Sequence, residues 1–275
     1  MLLSSRSRAY AHAIKDALTG KKPIASQSES LGLTPEASIN TLGELHTLNI
    51  ADGMTPVGRK LIAESPYASV DNGTQGCLGY LYSAQWPDDE GELPVVRTHG
   101  STRLRIEPKL ILRFSDAPDP GAGIDGFIDA IDAIAMGAEL LLLPFDNASW
   151  RFEDKICANG FSKGIHAGEL KTLSRSSKRN FSMLLEHSTF SLSRTNGMNS
   201  AMVGFTPGHK SALSSIASLY ELLRQRGELE RRPIAKGDVV ALNALCAAQP
   251  VSAGDEWISV LTCLDLPSLR IRFSK

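Results

Sequence analysis

Charge imbalance, membrane-length apolar runs and paired cysteines are all missing from this sequence of 275 residues. Its 29 Lys and Arg residues balance 30 Asp and Glu residues, so no excess of one sign attracts nucleic acid or an anionic membrane. No stretch reaches the roughly 20 apolar residues of a membrane span, and the N-terminus lacks the apolar core of a signal peptide. These absences predict a cytoplasmic protein whose partners are small molecules or other proteins.

Cysteine is scarce, and familiar catalytic motifs are absent. The four cysteines stand far apart, without CxxC or zinc-finger spacing, at Cys77, Cys157, Cys246 and Cys263. This spacing argues against a disulfide framework or a structural zinc site and favours reduced thiols in a cytosol. The sequence also has no GxSxG elbow, P-loop, HExxH motif or dinucleotide fingerprint. The common enzyme classes that carry those motifs are therefore unsupported.

The composition is that of an ordinary globular protein, with 42% hydrophobic and 21% charged residues. An apolar face predicts a helix over residues 4–19, ended by Gly20. A second helix is entered at Thr34-Pro35, where a Thr cap precedes proline at the first helical position. From residue 55 onward, short apolar runs between Gly, Pro, Asn and Asp predict strands. We therefore expect a helical region over 1–54 and a β-rich domain over 55–275.

Several later segments also carry clear patterns. Residues 127–145 pass from a helical pattern into a β-like run, and Asp125, Asp129 and Asp132 are interpreted as the solvated face of that helix. The stretch FSMLLEHSTFSL is predicted to be a strand. The spacing of apolar residues predicts a helix over 211–226, ended by Gly227. The tail, residues 238–273, is predicted to form three further strands.

The stretch RIEPKLIL at 105–112 predicts a strand interrupted by one proline. Side chains two apart on a regular strand share a face, so Glu107 and Lys109 are expected to face the same pocket. In the alternative interpretation, a bulge at Pro108 turns Lys109 outward into a surface ion pair.

Four segments together resemble the 2-keto-4-pentenoate hydratase and 4-oxalocrotonate decarboxylase family of the fumarylacetoacetate hydrolase superfamily. They are VGRKLIAES at 57–65, LRIEPKLIL at 104–112, the stretch 139–168 and the closing strands at 234–273. Their order and spacing carry the resemblance, since no single motif is specific. The resemblance implies an α+β fold, with N-terminal helices and a mixed β-sheet roll, and a homo-oligomer.

The resemblance also implies a divalent ion, Mg²⁺ or Mn²⁺, on three carboxylates. Such an ion binds the 2-keto and carboxylate oxygens of the substrate and stabilises an enolate-like species. Glu107 and Glu139 match the first and third carboxylates, but Lys109 stands at the second. Its ammonium could take the place of the ion and neutralise both glutamates, and no metal would then bind.

Other matched positions supply candidate catalytic and substrate-binding residues. Lys60 matches a lysine that assists proton transfer, and Asp154 matches an acidic position, so both are predicted to be catalytic together with Lys109. Ser162, Phe161 and Asn243 are predicted to bind substrate. Phe161 and Asn243 are bulkier than the family residues at those positions, which indicates a reshaped pocket.

Three functional hypotheses follow. The first is a lyase of hydratase or decarboxylase type that acts on a short 2-keto or 2-hydroxydienoic acid, with its metal site weakened or replaced by Lys109. The second is a catalytically silent, hydratase-like subunit that binds a ligand or an active partner enzyme. The third, a metal-dependent hydrolase, requires a Glu-His pair, for which Glu44 and His46 are the available combination.

Overall fold

The computed structural model describes residues 2–64, 76–82, 84–85, 93–99, 101–146, 149–226, 232–262 and 264–275. These residues form seven α-helices and fourteen strands. The helices are α1 (Leu2–Leu18), α2 (Pro35–Ala51), α3 (Gly123–Asp129), α4 (Phe152–Cys157), α5 (Arg175–Arg179), α6 (Phe181–Glu186) and α7 (Ala212–Arg226). None of the described helices is both long and apolar enough to cross a membrane.

The strands form one large and one small sheet. They are β1 (Gly58–Ala63), β2 (Gly76–Leu81), β3 (Ala84–Gln85), β4 (Val95–Arg97), β5 (Leu104–Phe114), β6 (Ile131–Leu142), β7 (Ser162–Ala167), β8 (Lys171–Thr172), β9 (Thr189–Asn196), β10 (Asn199–Pro207), β11 (Val239–Ala244), β12 (Gln249–Pro250), β13 (Asp255–Leu261) and β14 (Leu269–Ser274). The large sheet has the order β2-β1-β11-β5-β6-β7-β3, with β12 beside β5 and β8 beside β6. The small sheet has the order β10-β9-β13-β14-β4.

Helix α2 begins where the sequence predicts, α1 begins two residues before its predicted start, and both helices pack on the rest of the chain. The side chain of Thr34 accepts a hydrogen bond from Ala37 N at 3.2 Å, and Pro35 opens α2. Tyr10 and Ile14 of α1 are buried in one apolar cluster with Phe145 and Phe161. The helices therefore share a core with the β-rich part, and a domain boundary near residue 54 stays a prediction.

The large sheet is mixed. Strand β1 pairs with β11 in parallel, whereas β11, β5, β6 and β7 pair in antiparallel fashion. The β5–β6 register is continuous from Leu104 to Arg113, but the β11–β5 register shifts between Ala241 and Ala244. The shift places Leu242 and Asn243 of β11 opposite the single residue Leu110 of β5, as in a β-bulge.

One core lies between the two sheets. It joins Phe114 and Met136 of the large sheet to Phe190 and Trp257 of the small one. Strand β13 alternates buried and half-buried side chains, as expected for a strand with one face on a core. Helices and two mixed sheets around this core confirm the predicted α+β class.

Two sequence predictions were wrong. Residues 181–186 form helix α6 rather than a strand, because the apolar side chains of Phe181 and Leu185, four apart, are both buried on one helical face. Asp132 belongs to β6 and not to the helix of Asp125 and Asp129; it pairs with Arg113 at 2.7 Å. Gly227 and Cys263 lie outside the described residues.

Candidate active site

Lys109 points inward, between two glutamates. The β5–β6 register places Glu107 directly opposite Glu139, and Lys109 follows on the same face of β5. Its Nζ lies 2.5 Å from Glu107 Oε2 and 3.2 Å from Glu139 Oε2. The side chain of Lys109 is 3% exposed, so the interpretation that turned it outward was wrong.

Lys60 completes this group from the neighbouring strand β1. Its Nζ donates a hydrogen bond to Glu139 Oε1, and both side chains are buried. Side chains from β1, β5 and β6 thus meet on one face of the sheet, and the contact between Lys60 and Glu139 crosses β11. We call Lys60, Glu107, Lys109 and Glu139 the lysine–glutamate cluster.

The opposite charges of the cluster stabilise the ionised forms of Glu139 and Lys109. Burial alone raises the pKa of Glu139, but Lys60 and Lys109 outweigh it and hold that pKa below its ordinary value. Burial alone lowers the pKa of Lys109, but Glu107 and Glu139 reverse the effect and raise it. Burial lowers the pKa of Lys60, since Glu139 only partly compensates and Lys109 adds repulsion. Lys109 is therefore a fixed cation, and Lys60 is the amine of the cluster that releases its proton more readily.

A small cavity of about 20 Å³ opens beside the cluster. Lys155 of α4 and Asn243 of β11 line it together with Lys60, Glu107 and Lys109. Lys155 Nζ donates a hydrogen bond to Ala63 O at 2.7 Å, and burial lowers its pKa. Asn243 Nδ2 is buried and has no hydrogen-bond partner among the described residues. The cavity has room for about one water molecule and is rich in hydrogen-bond donors.

Asp154 has a different place from the one predicted. Its carboxylate accepts hydrogen bonds from Tyr10 Oη at 2.6 Å, Ser28 N at 2.9 Å, Ser28 Oγ at 2.7 Å and Arg151 N at 2.9 Å. Asp154 does not line the small cavity. Its hydrogen bonds connect α1 and the segment around Ser28 to the start of α4. These contacts assign Asp154 a structural role, because its acceptor positions are already occupied.

Of the three predicted substrate-binding residues, two lie near the cluster and one points away from it. Asn243 lines the small cavity, as described above, and the Ser162 hydroxyl forms a hydrogen bond with Glu139. The ring of Phe161 instead points away from the cavity and packs edge-on against Trp150 and Phe145, with centroids 5.0 and 5.8 Å away. An apolar ring is more stable in this cluster than among charged amines, so the prediction for Phe161 finds no support in its position.

Phe161 belongs to an unusual turn. Asn159, Gly160 and Phe161 have φ angles of 52°, 61° and 66°, which form one left-handed turn. Only glycine adopts this region without cost, so two residues of the turn are strained. A Cβ atom at Gly160 would lie 2.9 Å from Lys60 Nζ, so a larger residue there would displace the end of the Lys60 side chain. The turn thus brings main chain against the lysine of the cluster.

The family resemblance marks Asp154 and gives no signal for its neighbour Lys155. Adjacent residues on a helix point about 100° apart, so a carboxylate that faces α1 leaves the next side chain free to face the sheet. The Glu44 and His46 combination is not formed. Glu44 pairs with Arg8 at 3.1 Å, while His46 Nδ1 contacts Tyr82 Oη at 2.8 Å.

Comparison with solved structures identifies the architecture. 4-Oxalocrotonate decarboxylase from Pseudomonas putida G7, complexed with magnesium and adipate, superposes with a TM-score of 0.78 over 98% of both chains at 20% identity. The chain has the fold of 4-oxalocrotonate decarboxylase. The same enzyme complexed with calcium and acetate gives a TM-score of 0.75 at 19% identity. The resemblance predicted from the sequence is thereby confirmed at the level of the fold.

A hydrolase shares part of the same architecture. Fumarylpyruvate hydrolase from Pseudomonas aeruginosa, in complex with Mn²⁺ and pyruvate, gives a TM-score of 0.55 at 13% identity, over 80% of this chain and 90% of that one. No protein-family model and no curated protein matches the sequence. The decarboxylase fold is thus retained although the sequence has diverged.

A divalent ion, present in those three solved structures, does not fit the cluster of this chain. Among the described residues, no group of three or more His, Cys, Asp and Glu side chains is placed to hold a metal. The ammonium of Lys109 lies between the two glutamates, and Lys60 takes the remaining oxygen of Glu139. An ion there would meet two positive charges and two anionic ligands that are already paired.

Proposed function

We propose that this protein is a metal-independent lyase that acts on a short 2-keto or 2-hydroxydienoic acid, with the ammonium of Lys109 in the place of the divalent ion. The position of Lys109, 2.5 Å from Glu107 and 3.2 Å from Glu139, carries the proposal. A fixed cation there can stabilise the negative charge that develops on a substrate oxygen, which is the electrostatic task of the ion.

The donors around the cavity suit a carboxylate substrate. Three amines, Lys60, Lys109 and Lys155, face two carboxylates among the described residues, and Asn243 adds an unpaired amide donor. Basic groups are therefore in excess of acidic ones, and they would stabilise an anion bound beside them. Lys155 and Asn243 would hold the substrate carboxylate while Lys109 donates to the oxygen at C2.

The proposed reaction needs only these side chains. In a decarboxylation, the bond to the departing carboxylate breaks and its electron pair moves through the conjugated chain to the oxygen at C2. The resulting enolate accepts a hydrogen bond from Lys109, and CO₂ leaves. Lys60, whose proton is shared with Glu139, supplies the proton that converts the enolate into the enol, and the product keeps its C1 carboxylate. Lys60 is later reprotonated from solvent. Hydration of a conjugated double bond consumes a water molecule as well, but it passes through a similar enolate and needs the same cation at the oxygen at C2.

The metal content of the purified protein tests the proposal. We expect the wild-type chain, purified without chelator and then loaded with Mn²⁺, to contain no stoichiometric metal by elemental analysis. Lys109→Glu should bind about one ion per chain, because it provides a third carboxylate and removes the cation. Lys210→Glu, the same charge change at an exposed lysine, is the matched control and should bind none.

Activity is measured beside metal content. Turnover of 2-hydroxypenta-2,4-dienoate by the wild type in excess EDTA supports the lyase, and its loss in Lys109→Met assigns the catalysis to the ammonium. One tightly bound Mn²⁺ per wild-type chain, abolished by Glu139→Ala, would overturn the proposal in favour of a metal-dependent enzyme.

The size of the cavity favours a second candidate. At about 20 Å³ it is smaller than any 2-keto acid, and both glutamates already form ion pairs with lysines. A silent, hydratase-like subunit that associates with an active enzyme or with copies of itself would have no need of a larger site. Co-purification with an active hydratase, together with inertness towards a panel of 2-keto acids, distinguishes this candidate from the lyase.

A further inference from the structure

A second and much larger cavity lies between the N-terminal helices and the segment 159–164. Its volume is about 330 Å³, and it shares no lining residue with the small cavity of the lysine–glutamate cluster. An apolar cavity of about 150 Å³ is enough to bind benzene. The space therefore accommodates a ligand larger than a single aromatic ring.

One side of this cavity is apolar. Leu18, Leu45, Met54 and Tyr82 contribute to it. Tyr82 is held in place, because its hydroxyl contacts His46 Nδ1 at 2.8 Å and forms a hydrogen bond with the side chain of Asn49. A preformed wall of this kind lowers the entropic cost of ordering a hydrocarbon ligand.

The other side of the cavity is cationic. Lys163 lines it, is exposed, and has no ion pair or hydrogen bond from its side chain among the described residues. Lys15 also lines it, but its Nζ already contacts Asp52 at 2.6 Å and Leu48 O at 2.9 Å. The described lining includes no Asp or Glu. An anionic group is therefore favoured at Lys163.

We propose that this cavity is a binding site for an organic monoanion whose hydrocarbon part is the size of an aromatic ring or larger. The carboxylate would lie against Lys163, and the hydrocarbon would cover Leu45, Met54 and Tyr82. Aromatic acids and medium-chain alkyl acids share this chemistry. The site is distinct from the small cavity, because the two cavities share no lining residue, although Ser162 of its lining also forms a hydrogen bond with Glu139 of the cluster.

Calorimetric titration of the full chain tests the site with two probes, 2-naphthoate and octanoate. We expect at least one of them to bind at one site per chain with a Kd below about 1 mM. Tighter binding of 2-naphthoate indicates an aromatic acid as the natural ligand, and tighter binding of octanoate indicates an alkyl acid. The neutral analogue 2-naphthalenemethanol should bind at least about tenfold more weakly than 2-naphthoate, since it lacks the charge.

Two variants locate the binding. Lys163→Met removes the cation, and Thr19→Trp fills the mouth of the cavity at an exposed position. Each should weaken binding about tenfold or more, whereas Lys210→Met, at an exposed lysine outside the cavity, should not change it. The proposal fails if neither anion binds, if the alcohol binds as well as 2-naphthoate, or if both cavity variants bind like the wild type. None of these outcomes depends on turnover or on metal content.

Discussion

The side-chain amide of Asn159 pairs with both main-chain groups of Tyr80. Its Oδ1 accepts a hydrogen bond from Tyr80 N at 2.9 Å, and its Nδ2 donates one to Tyr80 O at 2.8 Å. Strand β2 is an edge strand of the large sheet in the described part of the chain. On its open side, the amide of Asn159 makes the two hydrogen bonds that a neighbouring strand would make with Tyr80. The pairing fixes the left-handed turn of residues 159–161 against the sheet and beside Lys60.

Asn159→Ala should destabilise the protein by about 3 kcal/mol. The substitution leaves two buried main-chain groups of Tyr80 unsatisfied, and each costs roughly 1–3 kcal/mol. Urea unfolding measures the change in the free energy of unfolding. Asn199→Ala, at an exposed position of β10, is the matched control and should change it little. Equal effects of the two substitutions would show that the Tyr80 contacts contribute nothing.

Glu139→Gln should be costly for folding. Removing one partner of a buried ion pair leaves an uncompensated charge, which costs roughly 3–5 kcal/mol. Lys60 and Lys109 would both lose their shared carboxylate. Glu221→Gln makes the same chemical change in the exposed pair with Arg224 and should have little effect, because solvent screens that pair. Denaturant unfolding of both variants at neutral pH checks the contrast, and a stable Glu139→Gln protein would contradict it.

Asp154 should contribute stability that depends on pH. Burial alone raises its pKa, but the hydrogen bonds from Arg151, Ser28 and Tyr10 outweigh burial, so the pKa lies below its ordinary value of 3.8. The folded state thus favours the carboxylate. Its contribution is fully present above the unfolded pKa and is lost as the pH falls through the lower folded pKa.

Asp154→Asn tests this contribution through urea unfolding between about pH 7 and pH 3. We expect the variant to be less stable than the wild type at neutral pH, and the difference to shrink as the pH falls below about 4, where the carboxylate of the unfolded chain takes up a proton before that of the folded chain does. Asp146→Asn, at an exposed aspartate, should follow the wild type throughout. A difference that stays constant over the whole range would assign the loss to packing instead of charge.

Local patterns in the sequence predict much of the fold. The Thr34-Pro35 pair marks the start of α2, and the alternation in RIEPKLIL places Glu107 and Lys109 on one face of β5. Both features depend only on residues a few positions apart. Helix α6 was mistaken for a strand because a short apolar run is compatible with either state until its partners are known.

The candidate site was harder to predict because its contacts are distant in sequence. Lys60 of β1 and Glu139 of β6 form an ion pair across β11 and β5, and no local pattern determines this strand order. The left-handed turn gives Phe161 a direction opposite to the one expected from its matched position. The residue-by-residue resemblance thus named four residues that the structure brings together, but it could not give the orientation of each side chain.

The position of β11 also affects how the chain must fold. Its Val239 pairs with Gly58 of β1, about 180 residues earlier, and with Arg113 of β5. At a synthesis rate of about 5–20 residues per second, roughly 10–35 s separate the emergence of β1 and β11 from a ribosome. Until β11 arrives, the main-chain groups of β1 and β5 that face it have no partner from that strand. The central sheet therefore closes late, and its two halves present open edges to other chains during this interval.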